Sequence, residues 1–171
     1  MTNLKPGDVG FVMNKAWISH AMAWFMGNTW TKKADYSHCF TVAGYFYGRL
    51  MVYETSDFEF VLFPLKDYLD GRRCTIFRLP NCDENSVNTI GMNMLGEKYG
   101  YLQLISLGLR RILMKTFGVK INNFIRWGLY CTVGPLTIHY DFLKIDPESI
   151  DTQELADLFE SRGYEKIYEH R

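Results

Sequence analysis

Short apolar segments, each bounded by glycine, proline or charged residues, form the dominant pattern along this chain. Segments of this kind that are rich in β-branched and aromatic residues are typical of strands. They occur at residues 9–12, just after the turn signal at residues 6–8, and at residues 39–43, 50–55, 58–63 and 74–79. The pattern predicts that the sheet begins near the amino terminus and that the four segments from residue 39 to residue 79 form a meander of strands.

Two longer stretches have the spacing of amphipathic helices. Residues 15–27 place apolar side chains on one face and predict a helix after the first strand. Residues 87–116 continue a helical period past Gly100, which predicts a kinked or broken pair of helices. Asn85 or Ser86 is expected to cap the first helix of this pair.

The last third of the chain contains both ambiguous and well-marked segments. Residues 117–127 fit either a loop or a lid, whereas residues 132–142 are apolar enough to pack as a helix beneath the sheet. Residues 151–154 fit a capping box that opens a short helix, and Gly163 marks the end of that helix. A final short strand is expected at residues 166–168.

The fold class that follows is α+β, with a small antiparallel sheet or open barrel packed against helices. The chain has 171 residues, 47% hydrophobic and 16% aromatic, so residues 1–171 are expected to form one domain around one core. Lys plus Arg and Asp plus Glu each total 19, which leaves no net field to attract nucleic acid. The apolar runs are shorter than the roughly 18 residues of a spanning helix, so no integral membrane segment is predicted.

The amino terminus and the cysteines indicate the compartment. The first eight residues lack the basic and apolar regions of a secretion signal, so the protein is expected to be cytoplasmic as synthesised. An external substrate would then require a viral origin or release by cell lysis. Reduced thiols, and neither a metal nor a cofactor, are expected because no disulfide or zinc spacing is found among the four cysteines, Cys39, Cys74, Cys82 and Cys131.

A histidine and a carboxylate are predicted to face each other across one hairpin. Gly44 and Gly48 bound the intervening loop, and a hairpin centred on Phe46 would place His38 directly opposite Glu54. Side chains opposed in this way lie about 5 Å apart at Cβ. A carboxylate at that distance can hold an imidazole in one tautomer, as a catalytic base requires.

Cys131 is the candidate nucleophile for this pair. It precedes an apolar segment, and Pro135 favours a helix that opens within a few residues of it. A nearby imidazole and a helix amino terminus both lower the pKa of a thiol from its usual value of about 8.5, which produces the reactive thiolate. The competing interpretation is that Cys131 packs as a small hydrophobic residue, which is common for free cysteine.

The other chemistry-bearing residues are weaker candidates. Cys39 is adjacent to His38, but neighbours in a strand point to opposite faces, so Cys39 is expected to face the core. Cys74 and Cys82 are interpreted as structural. The remaining histidines are expected to be satisfied residues, and the competing carboxylates do not follow from the hairpin; these are His20, His139, Asp35, Asp57 and Glu59.

Six short motifs follow one another along the chain: Gly7-Asp8-Val9, Ser19-His20-Ala21-Met22, Tyr36-Ser37-His38, Val52-Tyr53-Glu54, Lys98-Tyr99-Gly100-Tyr101 and Tyr130-Cys131-Thr132. Their order resembles the circularly permuted NlpC/P60 family of papain-like thiol enzymes, which includes YiiX-like and lecithin retinol acyltransferase-like proteins. The resemblance implies a papain-like fold in which His38 is the general base, Glu54 orients it and Cys131 is the nucleophile.

Three hypotheses for the function follow. The first is a cysteine peptidase or amidase that acts on peptidoglycan-type peptides through an acyl-enzyme. The second is an acyltransferase or lipid-directed thiol hydrolase with a cleft lined by Trp17, Trp24, Phe25 and Trp30. The third is a non-catalytic binding or structural protein, because Thr132-Val133 stands where the family often has Ser-Glu.

Overall fold

Residues 3–13, 20, 23–24, 34–56, 59–69, 71–80, 82–119, 131–146 and 150–170 are described by a computed structural model. Over these ranges the chain forms an α+β fold with one open six-stranded antiparallel sheet and six helices, which confirms the predicted class. The strands are β1 (Val9–Val12), β2 (His38–Phe46), β3 (Arg49–Thr55), β4 (Phe60–Pro64), β5 (Cys74–Arg78) and β6 (Glu165–His170). The helices are α1 (Leu65–Leu69), α2 (Glu84–Met94), α3 (Tyr101–Phe117), α4 (Val133–Ile138), α5 (Tyr140–Leu143) and α6 (Thr152–Ser161).

The sheet has the strand order β4-β3-β2-β1-β5-β6, and each neighbouring pair is antiparallel. The predicted meander is correct for β2, β3 and β4, but β5 does not continue it. Instead, α1 follows β4 directly and packs Leu65 and Leu69 into the same apolar cluster as Val12 and Ile76. Because α1 carries the chain across this face of the sheet, β5 pairs with β1 and not with β4.

The β2–β3 hairpin has a different register from the predicted one. Its turn is formed by Tyr47 and Gly48, both with positive φ (49° and 76°), as in the type I′ turns that suit hairpins. A bulge in β2 shifts the register again. Glu54 therefore lies opposite Phe40, and the prediction that it lies directly opposite His38 is wrong.

The two faces of the sheet carry two apolar clusters. The larger cluster includes buried side chains of α2, α4 and α6, and its strand residues include Phe11, Cys39, Tyr53 and Phe77. The smaller cluster includes the apolar residues of α1, and its strand residues include Phe40, Val42 and Val52. Successive residues of β2 thus alternate between the two clusters, as the strand period requires.

The helical pair predicted over residues 87–116 is a broken pair, α2 and α3. Asp83 caps α2, because its carboxylate accepts hydrogen bonds from the backbone N–H groups of Asn85 and Ser86. The prediction that one of those two residues is the cap is therefore wrong. Gly118 ends α3 with a left-handed φ of 68°.

The carboxyl-terminal elements follow the sequence pattern closely. Residues 132–142 form two short helices, α4 and α5, on either side of His139. The capping box of α6 is present, since Asp151 and Glu154 each accept a hydrogen bond from the backbone N–H of the other. Gly163, with φ of 68°, follows that helix, and the predicted last strand is β6.

Two predicted segments lie mostly outside the described residues, namely the helix at residues 15–27 and the loop or lid at residues 117–127. None of the helices within the described ranges is both long enough and apolar enough to cross a membrane.

Candidate active site

His38 and Glu54 share one face of the sheet although they are not directly opposed. His38 is the first residue of β2 and lies two positions before Phe40, which is the partner of Glu54. The two side chains are therefore diagonal neighbours on one face. The His38 Nε2 and Glu54 Oε2 atoms are 3.2 Å apart, within hydrogen-bonding distance. The predicted contact exists, but it is made through a different register.

Cys131 lies one residue before Thr132, the N-cap of α4. The Thr132 hydroxyl donates to the carbonyl oxygen of Ile150 at 3.1 Å and so ties this turn to the residue that leads into α6. Cys131 is only 4% exposed. The side chains of Cys131 and His38 lie close enough to shift each other's pKa, so the structure places the three residues predicted from the sequence near one another.

The contacts of His38 and Cys131 favour their charged forms. Burial lowers the pKa of His38, but the hydrogen bonds and negative charges of Cys131 and Glu54 outweigh burial and raise that pKa to about 10. The hydrogen bond from Cys39 is the largest influence on Cys131 and lowers its pKa. Burial opposes this effect, and hydrogen bonds from His38 and Thr152 hold the pKa of Cys131 well below the usual thiol value. Both shifts favour the thiolate–imidazolium form of this pair over its neutral form.

Thr152, which is not among the residues predicted from the sequence, also contacts Cys131, the candidate nucleophile. Its Oγ1 lies 3.1 Å from Cys131 Sγ, and both residues are buried. Leu155, Ala156 and Phe159 follow Thr152 at helical spacing and are buried with it on one face of α6. The sequence therefore held a signal for this contact: a hydroxyl on the apolar face of a predicted helix is buried and requires a hydrogen-bond partner.

The first turn of α6 connects the separate segments of the site. Gln153 Oε1 accepts hydrogen bonds from the backbone N–H groups of Asp35 (2.7 Å) and Tyr36 (3.3 Å), just before β2 begins. Asp151, the buried N-cap, accepts hydrogen bonds from Nε (2.6 Å) and Nη2 of Arg111 in α3. Three consecutive residues at the start of α6 thus hold the nucleophile, the entry to β2 and α3 in fixed relation.

Cys39 is fully buried in the larger core cluster, as predicted from strand alternation. Its Sγ lies 3.1 Å from the carbonyl oxygen of Cys131, so its thiol donates a hydrogen bond to the backbone of Cys131. Burial and the neighbouring Cys131 raise the pKa of Cys39 well above the usual value, so Cys39 is a protonated neighbour of the nucleophile.

A second cysteine–histidine pair has the opposite electrostatics. Cys82 Sγ lies 3.8 Å from His139 Nδ1, a contact that the sequence does not predict. Burial lowers the pKa of His139 to about 4, whereas burial and nearby carboxylates raise the pKa of Cys82 to about 11. Both groups are neutral near pH 7, so this pair lacks a thiolate. Cys74 is fully buried in β5, where burial raises its pKa to about 12.

Two of the competing carboxylates, Asp35 and Glu59, form ion pairs at the surface. Asp35 Oδ1 lies 2.8 Å from Arg73 Nη1, and both side chains are exposed to solvent. Glu59 Oε2 lies 3.7 Å from Lys98 Nζ, also at the surface. His20 is exposed as well.

Some of the predicted candidates fall outside the described residues. Asp57 is one of them, and only Trp24 of the aromatic group is described; it is 42% exposed. Within the part of the chain that is described, no group of three or more His, Cys, Asp or Glu side chains is placed to hold a metal ion.

No family model matches this chain, and a search of curated proteins finds no significant match either. The chemistry of the site is therefore the basis for assigning a function.

Proposed function

We propose that this chain is a thiol hydrolase that acts through Cys131, His38 and Glu54. The observation that carries the proposal is the placement of the Cys131 side chain beside that of His38, with the Glu54 carboxylate 3.2 Å from His38 Nε2. A nucleophile, a base and a group that orients the base are the parts that such centres share. The resemblance to permuted NlpC/P60 enzymes gives each residue the same role.

The reaction begins from the ion pair. The Cys131 thiolate attacks a carbonyl carbon, and His38 donates its proton to the leaving amine or alcohol as the acyl-enzyme forms. The neutral His38 then accepts a proton from the water that attacks the thioester, which releases the acid and restores the thiolate. Glu54 holds the imidazole and stabilises its charged form throughout.

Two further groups support these steps. The backbone N–H of Cys131, just ahead of α4, is the proposed donor to the oxyanion of the tetrahedral intermediate. The Thr152 hydroxyl stabilises the resting thiolate by donating to the sulfur.

The proposed fold is the permuted papain-like arrangement. Two observations support it: His38 precedes Cys131 in the chain, and α4, which follows the nucleophile, contacts β2 and β3, the strands of the base and the carboxylate. By the same resemblance, the proposed substrate is a peptide amide of the peptidoglycan type.

An activated ester tests the chemistry without knowledge of the natural substrate. On incubation with 4-nitrophenyl acetate, intact-protein and peptide mass spectrometry should find one acetyl group, on Cys131. The adduct should be absent from Cys131→Ala, slow to form in His38→Ala and unchanged in Cys74→Ala, which removes another buried thiol. Adducts spread over several cysteines, or formed equally fast in His38→Ala, would favour a non-catalytic binding protein.

The substrate class requires a second experiment with the wild-type chain. Peptidoglycan peptides should be cleaved at an amide, with loss of cleavage in Cys131→Ala. A fatty acyl adduct on Cys131 after incubation with phospholipid, without cleavage of the peptides, would assign the site to a lipid-directed enzyme instead.

A further inference from the structure

The mechanism uses one thiol, yet a second buried thiol lies against it. Cys39 Sγ is 3.1 Å from the backbone oxygen of Cys131, so the two residues are in direct contact. Both residues belong to the larger core cluster, on the same face of the sheet. Cys39 is fully buried and its raised pKa keeps it protonated, so it has no role in the hydrolysis of an acyl-enzyme.

The two thiols differ in reactivity. Cys131 has a depressed pKa and is the one that an oxidant attacks, because the thiolate is the reactive form. The pKa of Cys39 is raised, so Cys39 resists oxidation until an electrophilic sulfur forms beside it. A reactive cysteine next to a protected one is the arrangement of a redox-sensitive thiol with its resolving partner.

We propose that a hydroperoxide converts Cys131 and Cys39 into a reversible disulfide that switches the site off and protects its nucleophile. This switch rests on the proposed function only because it requires a Cys131 thiolate. It regulates the same site.

The chemistry proceeds in two balanced steps. In the first, the Cys131 thiolate attacks one oxygen of the hydroperoxide, the S–O bond forms and the O–O bond breaks. The departing oxygen takes the proton of the His38 imidazolium and leaves as water or an alcohol. The sulfur loses two electrons, the peroxide gains them, and Cys131 becomes a sulfenic acid.

In the second step, the Cys39 sulfur attacks the sulfenic sulfur of Cys131. The S–S bond forms, the S–O bond breaks, and the hydroxyl group leaves as water with the proton that Cys39 loses. Because Cys39 Sγ already contacts the backbone of Cys131, the reaction has the advantage of intramolecular proximity. A dithiol then restores both cysteines by thiol–disulfide exchange.

The other two cysteines are placed elsewhere. Cys74 belongs to the smaller cluster, on the opposite face of the sheet, and Cys82 contacts His139. The proposed bond is therefore specific to Cys39 and Cys131, and Cys74→Ala is a matched control because it also removes a fully buried strand thiol.

Hydrogen peroxide and non-reducing peptide mapping test the proposal. The wild-type chain and Cys74→Ala should yield a peptide pair joined through Cys39 and Cys131, and Cys131 should lose its alkylation by iodoacetamide and regain most of it with dithiothreitol. In Cys39→Ala, Cys131 should proceed to sulfinic and sulfonic acids, and dithiothreitol should restore little labelling. Circular dichroism tests whether Cys39→Ala is folded. If that variant is unfolded, Cys39→Ser and the peptide map of the wild type decide whether the disulfide forms.

Accumulation of oxidised Cys131 with Cys39 still free in the wild type would overturn the inference. So would a bond to Cys74 or Cys82, or full recovery of Cys39→Ala by dithiothreitol. Alkylation of the untreated sample distinguishes a failure of the disulfide proposal from a failure of the proposed function. If untreated Cys131 is alkylated preferentially and no bond to Cys39 forms, the switch alone is wrong; if it is not preferentially alkylated, the thiol enzyme is wrong as well.

Discussion

At the scale of single residues, contact between a cysteine and a histidine does not by itself create a catalytic pair. The surroundings of His38 and Cys131 favour their charged forms, because Glu54 raises the pKa of His38 and several donors lower the pKa of Cys131. Cys82 and His139 are also in contact, but burial drives both towards their neutral forms. The surrounding charges and donors therefore distinguish the two pairs.

Glu54→Gln tests the carboxylate of the proposed triad. Because Glu54 contributes to raising the pKa of His38, its loss should lower that pKa and move the alkaline limit of activity, set by His38 at about 10, to lower pH. Ester hydrolysis near neutral pH should slow by about a hundredfold, at the lower end of what acid–base catalysis contributes. The matched control is Glu59→Gln, whose carboxylate pairs with Lys98 at the surface. An unchanged alkaline limit in Glu54→Gln would show that Glu54 does not support His38.

Thr152→Val tests the hydroxyl beside the nucleophile. A hydrogen bond to a charged sulfur is worth about 1.5–3 kcal/mol, so its loss should raise the pKa of Cys131 and slow alkylation at pH 6. Thr152→Ser should restore the wild-type profile. Thr75→Val removes another buried hydroxyl, one that bonds the hydroxyl of Tyr36, and should leave the profile in place. Equal shifts in both valine variants would mean that Thr152 has only a packing role.

At the scale of elements, α6 shows how much a local pattern can predict. Its capping box, its apolar face and its end at Gly163 were all readable from spacing. The hydrogen-bond partners of its first turn were not predictable from spacing, because those residues lie in α3, just before β2 and just before α4. Local chemistry specifies where such a helix begins, whereas tertiary packing determines what its first residues contact.

For the β2–β3 hairpin, the predicted register was wrong but the predicted contact between His38 and Glu54 is present. The predicted register was wrong because Tyr47 and Gly48 form a two-residue turn and a bulge adds a residue to β2. His38 and Glu54 still met, since the observed register leaves them on the same face as diagonal neighbours. Face assignment along a strand is therefore more robust than the exact opposing partner.

Gly91→Ala tests how closely α2 packs on the sheet. A Cβ at this position would lie 2.6 Å from the ring of Tyr53, the strand neighbour of Glu54. Overpacking should destabilise the protein by about 1–3 kcal/mol in urea unfolding. Gly108→Ala in α3 is the matched control, because its Cβ would meet no atom within 4 Å. That control should be neutral or stabilising by up to about 1 kcal/mol. Equal stability of the Gly91→Ala variant and the wild type would contradict this packing.

At the scale of the whole molecule, the sheet order was the least predictable feature. β1 lies between β2 and β5 only because α1 carries the chain over one face, and short apolar runs do not encode that crossing. The candidate site combines residues from β2, β3, the start of α4 and the start of α6. The contact between His38 and Glu54 was predictable from the sequence, while the contacts of Thr152 and Gln153 required the assembled core.

Arg111→Met tests the buried link between α3 and α6. Arg111 is 2% exposed and pairs with Asp151, which is fully buried, so the variant leaves a carboxylate without its cation. Removing one partner of such a pair costs about 3–5 kcal/mol, measurable as a lower free energy of unfolding in urea. The neighbouring variant Arg110→Met affects a more exposed pair with Glu154, separated by 3.5 Å, and should cost less than about 1 kcal/mol. Similar losses in the two variants would contradict a special role for the buried pair.

The most direct measurement of the central claim is the pH dependence of iodoacetamide labelling at each cysteine, read by peptide mass spectrometry. We expect Cys131 to be labelled first at pH 6–7, because its pKa is depressed. The preference should disappear in His38→Ala, which removes the imidazolium that stabilises the thiolate. The other cysteines should remain slow, as their raised pKa values require. Labelling of Cys131 that begins only above about pH 8.5, as for an ordinary thiol, or that is unaffected in His38→Ala, would contradict the thiol-enzyme account.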